Sequence, residues 1–118
     1  MNTLPQQSDT VILITHEGMG MADLELQHKL ISTYLKLLNE NDYLPAAICF
    51  YTEGVKLVVE GSPVIDQLEM LEGKGVRLII CSTCLNFFGL QDKVEVGIIG
   101  GMTDIIEAQW RAAKTITL

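Results

Sequence analysis

Two cysteines, Cys81 and Cys84, are the residues whose types and spacing best suit chemistry, and both lie in the segment CSTCLNFFGL. They follow a run of β-branched and aliphatic residues and open a segment that could form a short helix ended by Gly89. A thiol at such a junction faces unpaired backbone N–H groups and the positive end of a helix dipole, which both favour the nucleophilic thiolate. We therefore predict that Cys81 is a reactive thiol and that Cys84 can attack a sulfur carried on it.

Other interpretations of the cysteine pair stay open. Both could be small buried side chains, because free cysteine is among the most buried residue types. A structural zinc site would need four ligands, and beyond the pair the sequence offers only Cys49, His16 and His28, which are scattered. We therefore predict no metal site. We interpret Cys49, which has apolar neighbours in a predicted strand, as a core residue.

A second segment suited to a site, HEGMGM at residues 16–21, follows the first predicted strand. Gly18 and Gly20 resemble the start of a dinucleotide-binding fingerprint, but the third small position falls on Asp23, so the match fails. We interpret both glycines as turn residues that let backbone approach the site. His16 could exchange protons with a thiol there, or it could be a solvated loop histidine.

A third segment, residues 51–54, follows the second predicted strand and could form another wall of the pocket, with Glu53 either as a polar contact or as a solvated acid. The predicted pocket residues around the cysteines are His16, Glu17, Gly18, Gly20, Glu53, Gly54, Ser82 and Thr83. Nearby apolar side chains could form a docking surface or belong to the ordinary core. These apolar residues are Met19, Met21, Phe87 and Phe88.

The elements that must position these loops are read from hydrophobic periodicity. The predicted strands cover residues 10–15, 45–50, 76–80, 94–99 and 114–118, and the predicted helices cover residues 22–39, 62–73 or 62–75, 82–88 and 104–113. Residues 54–60 fit a short helix or an extended segment equally well. Strands that alternate with helices predict a single-domain α/β three-layer sandwich around a mostly parallel five-stranded sheet.

The predicted domain covers residues 10–118, after a polar N-terminal tail at residues 1–9. If the sheet has a flavodoxin-like strand order, the ligand site lies at the carboxyl ends of the strands, between strands one and three. Those strand ends carry the HEGMGM segment and the cysteine pair. The fold prediction and the chemical prediction therefore point to one edge of the sheet.

Composition narrows the class of protein. The 118-residue chain is 48% hydrophobic and 19% charged, as in a compact domain whose sheet is covered on both faces. A formal net charge of −7 would repel nucleic-acid phosphates and anionic lipids, so we expect neither as a partner. The sequence has no secretory signal pattern and no apolar run near the roughly 20 residues of a membrane span. We expect a cytoplasmic protein, whose thiols reducing buffers keep free.

Three segments in order, GMGMADLELQHKLI, ICFYTEGVKLVVEGSPVIDQLEMLEGKGV and CSTCLNFFGL, are similar to the DsrE/DsrF-like sulfurtransferase family. Within it, the sequence most resembles the C-terminal domain of YedF-type selenium-metabolism proteins. The resemblance implies a five-stranded α/β fold and assembly as dimers, trimers or hexamers. YedF-type proteins begin with a sulfur-carrier domain bearing a Cys-Pro motif, which this sequence lacks, so we expect its sulfur donor to come in trans.

In the sulfur-relay members, a cysteine at the end of the third strand accepts sulfur as a persulfide and passes it to the next carrier. Cys81 resembles that cysteine by its place after the strand and its spacing to Gly89, and Cys84 resembles the second cysteine of the YedF-type branch.

We therefore predict a sulfur carrier or sulfurtransferase that needs no organic cofactor. The alternative is a non-catalytic oligomeric module that binds a small ligand or a partner protein. A thiol-disulfide oxidoreductase is a weaker third hypothesis, because the aromatic and proline residues usual around that motif are missing.

Overall fold

The computed structural model describes residues 8–118. The predicted tail at residues 1–9 lies mostly outside the described residues, of which Ser8 and Asp9 are exposed. In chain order the elements are β1 (Thr10–Ile14), α1 (Leu24–Asn41), β2 (Ala47–Phe50), a 3-10 helix (Thr52–Leu57), α2 (Ile65–Gly73), β3 (Arg77–Cys81), α3 (Ser82–Phe88), β4 (Ile98–Gly100), α4 (Met102–Arg111) and β5 (Lys114–Thr117). None of the helices described between residues 8 and 118 is long and apolar enough to cross a bilayer.

The five strands form one sheet in the order β4-β3-β2-β1-β5, and every neighbouring pair is parallel. This confirms the predicted single α/β domain with a five-stranded parallel sheet. The expectation that strands one and three are neighbours is wrong, because β2 pairs with both of them. Three successive connections each advance by one strand, which is the commonest behaviour of consecutive strands. The carboxyl ends of β1, β2 and β3 therefore lie side by side.

The core is built on the three central strands. The runs VILI in β1, AICF in β2 and LIIC in β3 are buried throughout, as predicted for strands covered on both faces. Helices α1 and α2 pack against each other, and α1 buries Ile31, Leu35 and Leu38. Helix α4 contacts β3 and β4 while the chain returns across the sheet towards β5. The connections to β2, β3 and β4 step in one direction along the sheet and the connection to β5 steps back, so the usual right-handed crossover puts α4 on the face opposite α1 and α2 and gives three layers.

Several element ends differ from the predictions for local reasons. The ambiguous segment at residues 54–60 is mainly 3-10 helix, starting at Thr52. Helix α4 begins at Met102 rather than at residue 104, because the Asp104 carboxylate accepts a hydrogen bond from Gly101 N (2.9 Å) as the third helical residue. Strand β4 is shorter than predicted, since Val94 instead forms an isolated antiparallel bridge with Val59.

Candidate functional site

The two cysteines lie at the junction of β3 and α3, in unequal surroundings. Cys81 is the last residue of β3, pairs with Gly100 of β4 in the sheet register and is 2% exposed. Cys84 is the third residue of α3 and is only partly buried. The strand thus extends one residue further than predicted, and Cys81 belongs to the sheet rather than to the loop after it.

Thr52, the first residue of the 3-10 helix after β2, provides the main polar contact of the pair. Its backbone N–H donates a hydrogen bond to Cys84 Sγ at 3.1 Å. Thr52 has a left-handed backbone conformation, with φ of 48°, which is uncommon for a residue other than glycine. Its hydroxyl oxygen lies 2.6 Å from the Thr15 carbonyl oxygen and 2.7 Å from the Tyr51 carbonyl oxygen, and its one proton is available to either acceptor. Thr52 therefore links the ends of β1, β2 and the β3–α3 junction.

Sequence reasoning missed Thr52 because a threonine in a polar loop carries no chemical signal of its own. Its position directly after a buried strand was the one available indication, since the carboxyl ends of parallel strands share one edge of the sheet. The contact that matters is made by its backbone, and a backbone contact depends on how the chain folds rather than on the residue type.

Gly54 allows the 3-10 helix to pack on the end of β1. A Cβ added to Gly54 would overlap the Ile14 carbonyl oxygen. The same carbonyl accepts a hydrogen bond from Tyr51 N at 3.2 Å, so β1 and the start of the 3-10 helix are in direct contact. Gly54, a predicted pocket residue, is thus placed where it determines the position of Thr52.

The thiols on and beside the sheet differ in their electrostatic surroundings. Burial raises the pKa of the Cys84 thiol above its ordinary value, and the Thr52 N–H lowers it. The neighbouring Cys81 raises the Cys84 pKa through a side-chain hydrogen bond and, to a smaller extent, through charge repulsion. Cys49, fully buried in β2, has its pKa raised to about 11, mainly by burial and against the opposing charge of Arg77. The burial of Cys49 confirms its interpretation as a core residue.

The first loop, from His16 to Gly20, is directed towards α1. His16 Nδ1 lies 3.2 Å from Thr15 Oγ1. The Glu17 carboxylate pairs with His28 Nε2 at 3.0 Å, which fastens the loop to α1. Gly18 has a φ of 134°, and a Cβ there would overlap the backbone of Gln27. Gly20 is exposed and also has a positive φ, so both glycines have the backbone conformation of turn residues, and the close backbone approach at Gly18 is to α1.

A shallow cleft of about 390 Å³ lies beside the 3-10 helix and the end of α3. Its lining includes Glu17, His28, Lys56 and Phe88 but neither cysteine. Lys56 forms an ion pair with Glu53, and its Nζ lies 4.6 Å from the centre of the Phe88 ring. Of the predicted pocket residues, only Glu17 lines this cleft, and both cysteines lie outside it.

The remaining predicted residues have simpler surroundings. Ser82 and Thr83 form the first turn of α3, where Ser82 is partly buried and Thr83 is exposed. Met19 and Phe88 pack against the core, whereas Met21 and Phe87 are more than four-fifths exposed, at 82% and 83%. Within residues 8–118, no three His, Cys, Asp or Glu side chains lie together in a way that could hold a metal ion.

The sequence model of the DsrE/DsrF-like family matches residues 9–118, nearly the whole chain. The chain belongs to the DsrE/DsrF-like family. No curated protein matches this DsrE/DsrF-like chain. The more specific resemblance to YedF-type proteins stays a prediction, because the match is to the family as a whole.

Solved structures share the fold of this DsrE/DsrF-like protein. A protein of unknown function, MTH1491 from Methanobacterium thermoautotrophicum, has a TM-score of 0.67 at 22% identity, over 92% of this chain and 97% of that one. YchN from E. coli has a TM-score of 0.61 at 16% identity, over 96% and 100%. BT1422 from Bacteroides thetaiotaomicron, also of unknown function, has a TM-score of 0.62 at 13% identity, over 93% and 95%. At these identities the likeness establishes the fold alone.

Proposed function

We propose that this protein is a sulfur carrier or sulfurtransferase that relays persulfide sulfur through the Cys81–Cys84 pair. The observation that carries the proposal is the partly exposed Cys84 thiol, held by the Thr52 N–H at 3.1 Å beside a second thiol, at the carboxyl edge of the sheet. Partial exposure gives a partner access to this thiol, and the Thr52 N–H favours the thiolate against the burial that raises the Cys84 pKa. Membership of the DsrE/DsrF-like family supports the same chemistry.

The proposed reaction conserves oxidation state and needs no organic cofactor. A thiolate of the pair attacks the outer sulfur of a donor persulfide, the donor S–S bond breaks, and the donor leaves as a thiol after taking up a proton. The protein then carries a persulfide, whose outer sulfur is attacked by an acceptor thiolate, and the original thiol is restored. Donor and acceptor are separate thiol-bearing partners, and the reducing cytoplasm suits a chain whose three cysteines are free.

Sulfur loading tests this proposal directly. The reduced protein is incubated with a cysteine desulfurase and cysteine, and its intact mass is recorded with and without a reductant. We expect the parent to gain one reducible sulfur and the double variant Cys81→Ser/Cys84→Ser to gain none. The matched control is Cys49→Ala, which removes the buried thiol of β2 and should load like the parent. Equal loading of the parent and the double variant would contradict the proposal.

A second candidate function, a non-catalytic binding module, is favoured by the cleft that excludes both cysteines. This cleft presents the Glu17–His28 pair, Lys56 and the Phe88 ring to a ligand. The two functions differ in what the cysteine substitutions do. A binding module would keep ligand affinity in the double cysteine variant and lose it in Lys56→Ala, as measured by calorimetry once a ligand is found.

We also propose that the protein forms a homo-oligomer through the exposed side of α4. Met102, Ile106 and Trp110, the α4 stripe, are spaced four residues apart and lie on one side of the helix. They are 54%, 46% and 85% exposed, while Ile105 and Ala108 on the other side are buried. An apolar row on the outside of a helix is typical of an interface.

The mass in solution tests this assembly. We expect light scattering to give a multiple of the 13.0 kDa chain mass, and Ile106→Asp combined with Trp110→Asp to shift it towards one chain. The matched control is Leu37→Asp on the exposed side of α1, away from the α4 stripe. A parent protein that stays monomeric at all concentrations would overturn the assembly proposal.

A further inference from the structure

The two thiols of the candidate site are not equally open to a partner. Cys81 is 2% exposed, and its backbone is fixed in the ladder between β3 and β4. A donor persulfide must bring its outer sulfur into contact with the attacking thiolate, and a side chain that is 2% exposed leaves a partner protein almost no thiol surface to contact. Cys84 is partly exposed, and Thr52, which contacts it, is exposed as well.

We propose that Cys84 Sγ, rather than Cys81 Sγ, receives the transferred sulfur, and that Thr52 is the positioning residue whose N–H stabilises the attacking thiolate. This inference rests on the proposed function and reverses the roles that the sequence predicted for the two cysteines. It assigns Cys81 to the buried wall beside the reacting sulfur.

The proposed step is balanced in atoms and electrons. The Cys84 thiolate attacks the outer sulfur of the donor persulfide, so that a new S–S bond forms on Cys84 while the donor S–S bond breaks. The bonding pair of the broken bond leaves on the inner donor sulfur, which takes the proton released by Cys84. One disulfide-type bond replaces another, so neither an oxidant nor a reductant is consumed.

The Thr52 N–H is held in place before the reaction by two features. The Thr52 hydroxyl lies 2.6 Å from the Thr15 carbonyl oxygen and 2.7 Å from the Tyr51 carbonyl oxygen, so its one proton anchors the residue to the carboxyl end of β1 or of β2. The 3-10 helix that starts at Thr52 is packed on the Ile14 carbonyl, where only glycine fits at position 54. A donor fixed in this way stabilises developing negative charge without having to reorganise.

The charges around Cys84 explain why this donor is needed. Burial and the neighbouring Cys81 both raise the pKa of Cys84, and the Thr52 N–H works against them. A hydrogen bond to the charged form of a thiol favours that form. Loss of the Thr52 contact should therefore move the pH at which Cys84 becomes reactive upwards.

Mapping of the loaded sulfur tests the assignment in the unmodified protein. The parent is loaded with cysteine desulfurase and cysteine, or with inorganic polysulfide as a small donor, and its thiols and persulfides are alkylated. Trypsin then cuts after Arg77 and Lys93, which leaves both cysteines in one peptide whose fragment masses locate the extra sulfur. We expect it on Cys84, lost in Cys84→Ser or Cys84→Ala and retained in Cys81→Ser.

Substitutions at Thr52 test the positioning role. Thr52→Val keeps the shape but removes the hydroxyl that anchors the residue, so we expect the pH midpoint of Cys84 alkylation to rise and loading at neutral pH to slow about tenfold. Thr52→Ser keeps a hydroxyl and should restore both. A merely structural role of Thr52 would change stability without moving the pH midpoint.

The outcomes separate this inference from the function on which it rests. Loading that requires Cys81 but proceeds in Cys84→Ser would overturn the inference and leave the proposed function intact. Absence of loading in the parent from either donor would overturn both. An unchanged pH midpoint in Thr52→Val would overturn the role of Thr52.

Discussion

The centre and the periphery of this sheet use similar apolar residues in different ways. In the central strands β1, β2 and β3 they are almost all buried, whereas Ile98 and Ile99 of β4 are exposed and β5 is largely exposed. The candidate site extends from the ends of the central strands, on loops that lie directly against the core. The central apolar residues therefore specify the fold and hold the site, and the peripheral ones remain available to a partner.

The largest effect should come from Gly54→Ala, which places a methyl group in the contact between the 3-10 helix and β1. Because the added Cβ would overlap the Ile14 carbonyl, we expect a loss of about 3 kcal/mol in the free energy of unfolding, measured by urea denaturation. Gly73→Ala in α2, where nothing lies near the added Cβ, is the matched control. A cost within about 0.5 kcal/mol of zero for Gly54→Ala would mean that the centre is not tightly packed there.

The buried thiol of β2 should give the centre a dependence on alkaline pH. In the unfolded chain Cys49 ionises near its ordinary pKa of 9.0, while in the folded protein its pKa is about 11. Between these values the unfolded state binds fewer protons, so the free energy of unfolding should fall by up to about 3 kcal/mol as pH rises from 9 to 11. Below pH 9 this stabilisation is fully present.

Cys49→Ala isolates the contribution of this thiol, because tyrosines that ionise in the same range remain in both proteins. We expect the slope of stability against pH to be shallower in Cys49→Ala than in the parent, whatever the absolute cost of the substitution. Identical slopes from pH 9 to 11 would show that the Cys49 thiol is not shielded from water.

A smaller effect is expected at the site itself. Cys81 raises the pKa of Cys84, so Cys81→Ser should lower it and make Cys84 react faster with iodoacetamide at neutral pH. The pH profile of alkylation measures this shift, with Cys49→Ala as the control that leaves the neighbour of Cys84 unchanged. A slower reaction in Cys81→Ser would show that Cys81 assists the ionisation of Cys84 instead of opposing it.

The smallest effect on the folding of a single chain should come from the α4 stripe, whose apolar side chains are exposed like those of the peripheral strands. Trp110 is 85% exposed, so Trp110→Ser should change the free energy of unfolding by no more than about 0.5 kcal/mol at protein concentrations where chains are dissociated. Leu78→Ala in the central strand β3 should cost about 3 kcal/mol under the same conditions. If both substitutions lowered the free energy of unfolding by a similar amount, exposed and buried apolar side chains would not differ in how much they stabilise the fold.

The sequence predicted the central strands because a continuous β-branched run has few structural alternatives, and it predicted α1 because Ile31, Leu35 and Leu38 repeat at helical spacing. It did not predict that β2 lies between β1 and β3, since strand order depends on how crossovers pack rather than on local pattern. The start of α4 was wrong because Asp104 caps the helix from inside its first turn.

The candidate site was predicted in part. Cys81, Cys84 and the three loops could be located, because polar and reactive residues directly after buried strands are visible in the sequence. The unequal burial of the two cysteines and the backbone contact from Thr52 could not, since both depend on tertiary packing. The first-loop carboxylate, Glu17, was expected near the thiols but is engaged by His28 of α1.

The position of β5 also has a consequence for how the chain folds during synthesis. Strands β1 to β4 pair with their successive neighbours, but β5 joins β1 across almost the whole chain, with Thr10 opposite Lys114. Contacts of such long sequence separation form late, because the loop that they close is large. Until residues 114–117 leave the ribosome, β1 presents an unpaired edge that could recruit another nascent chain.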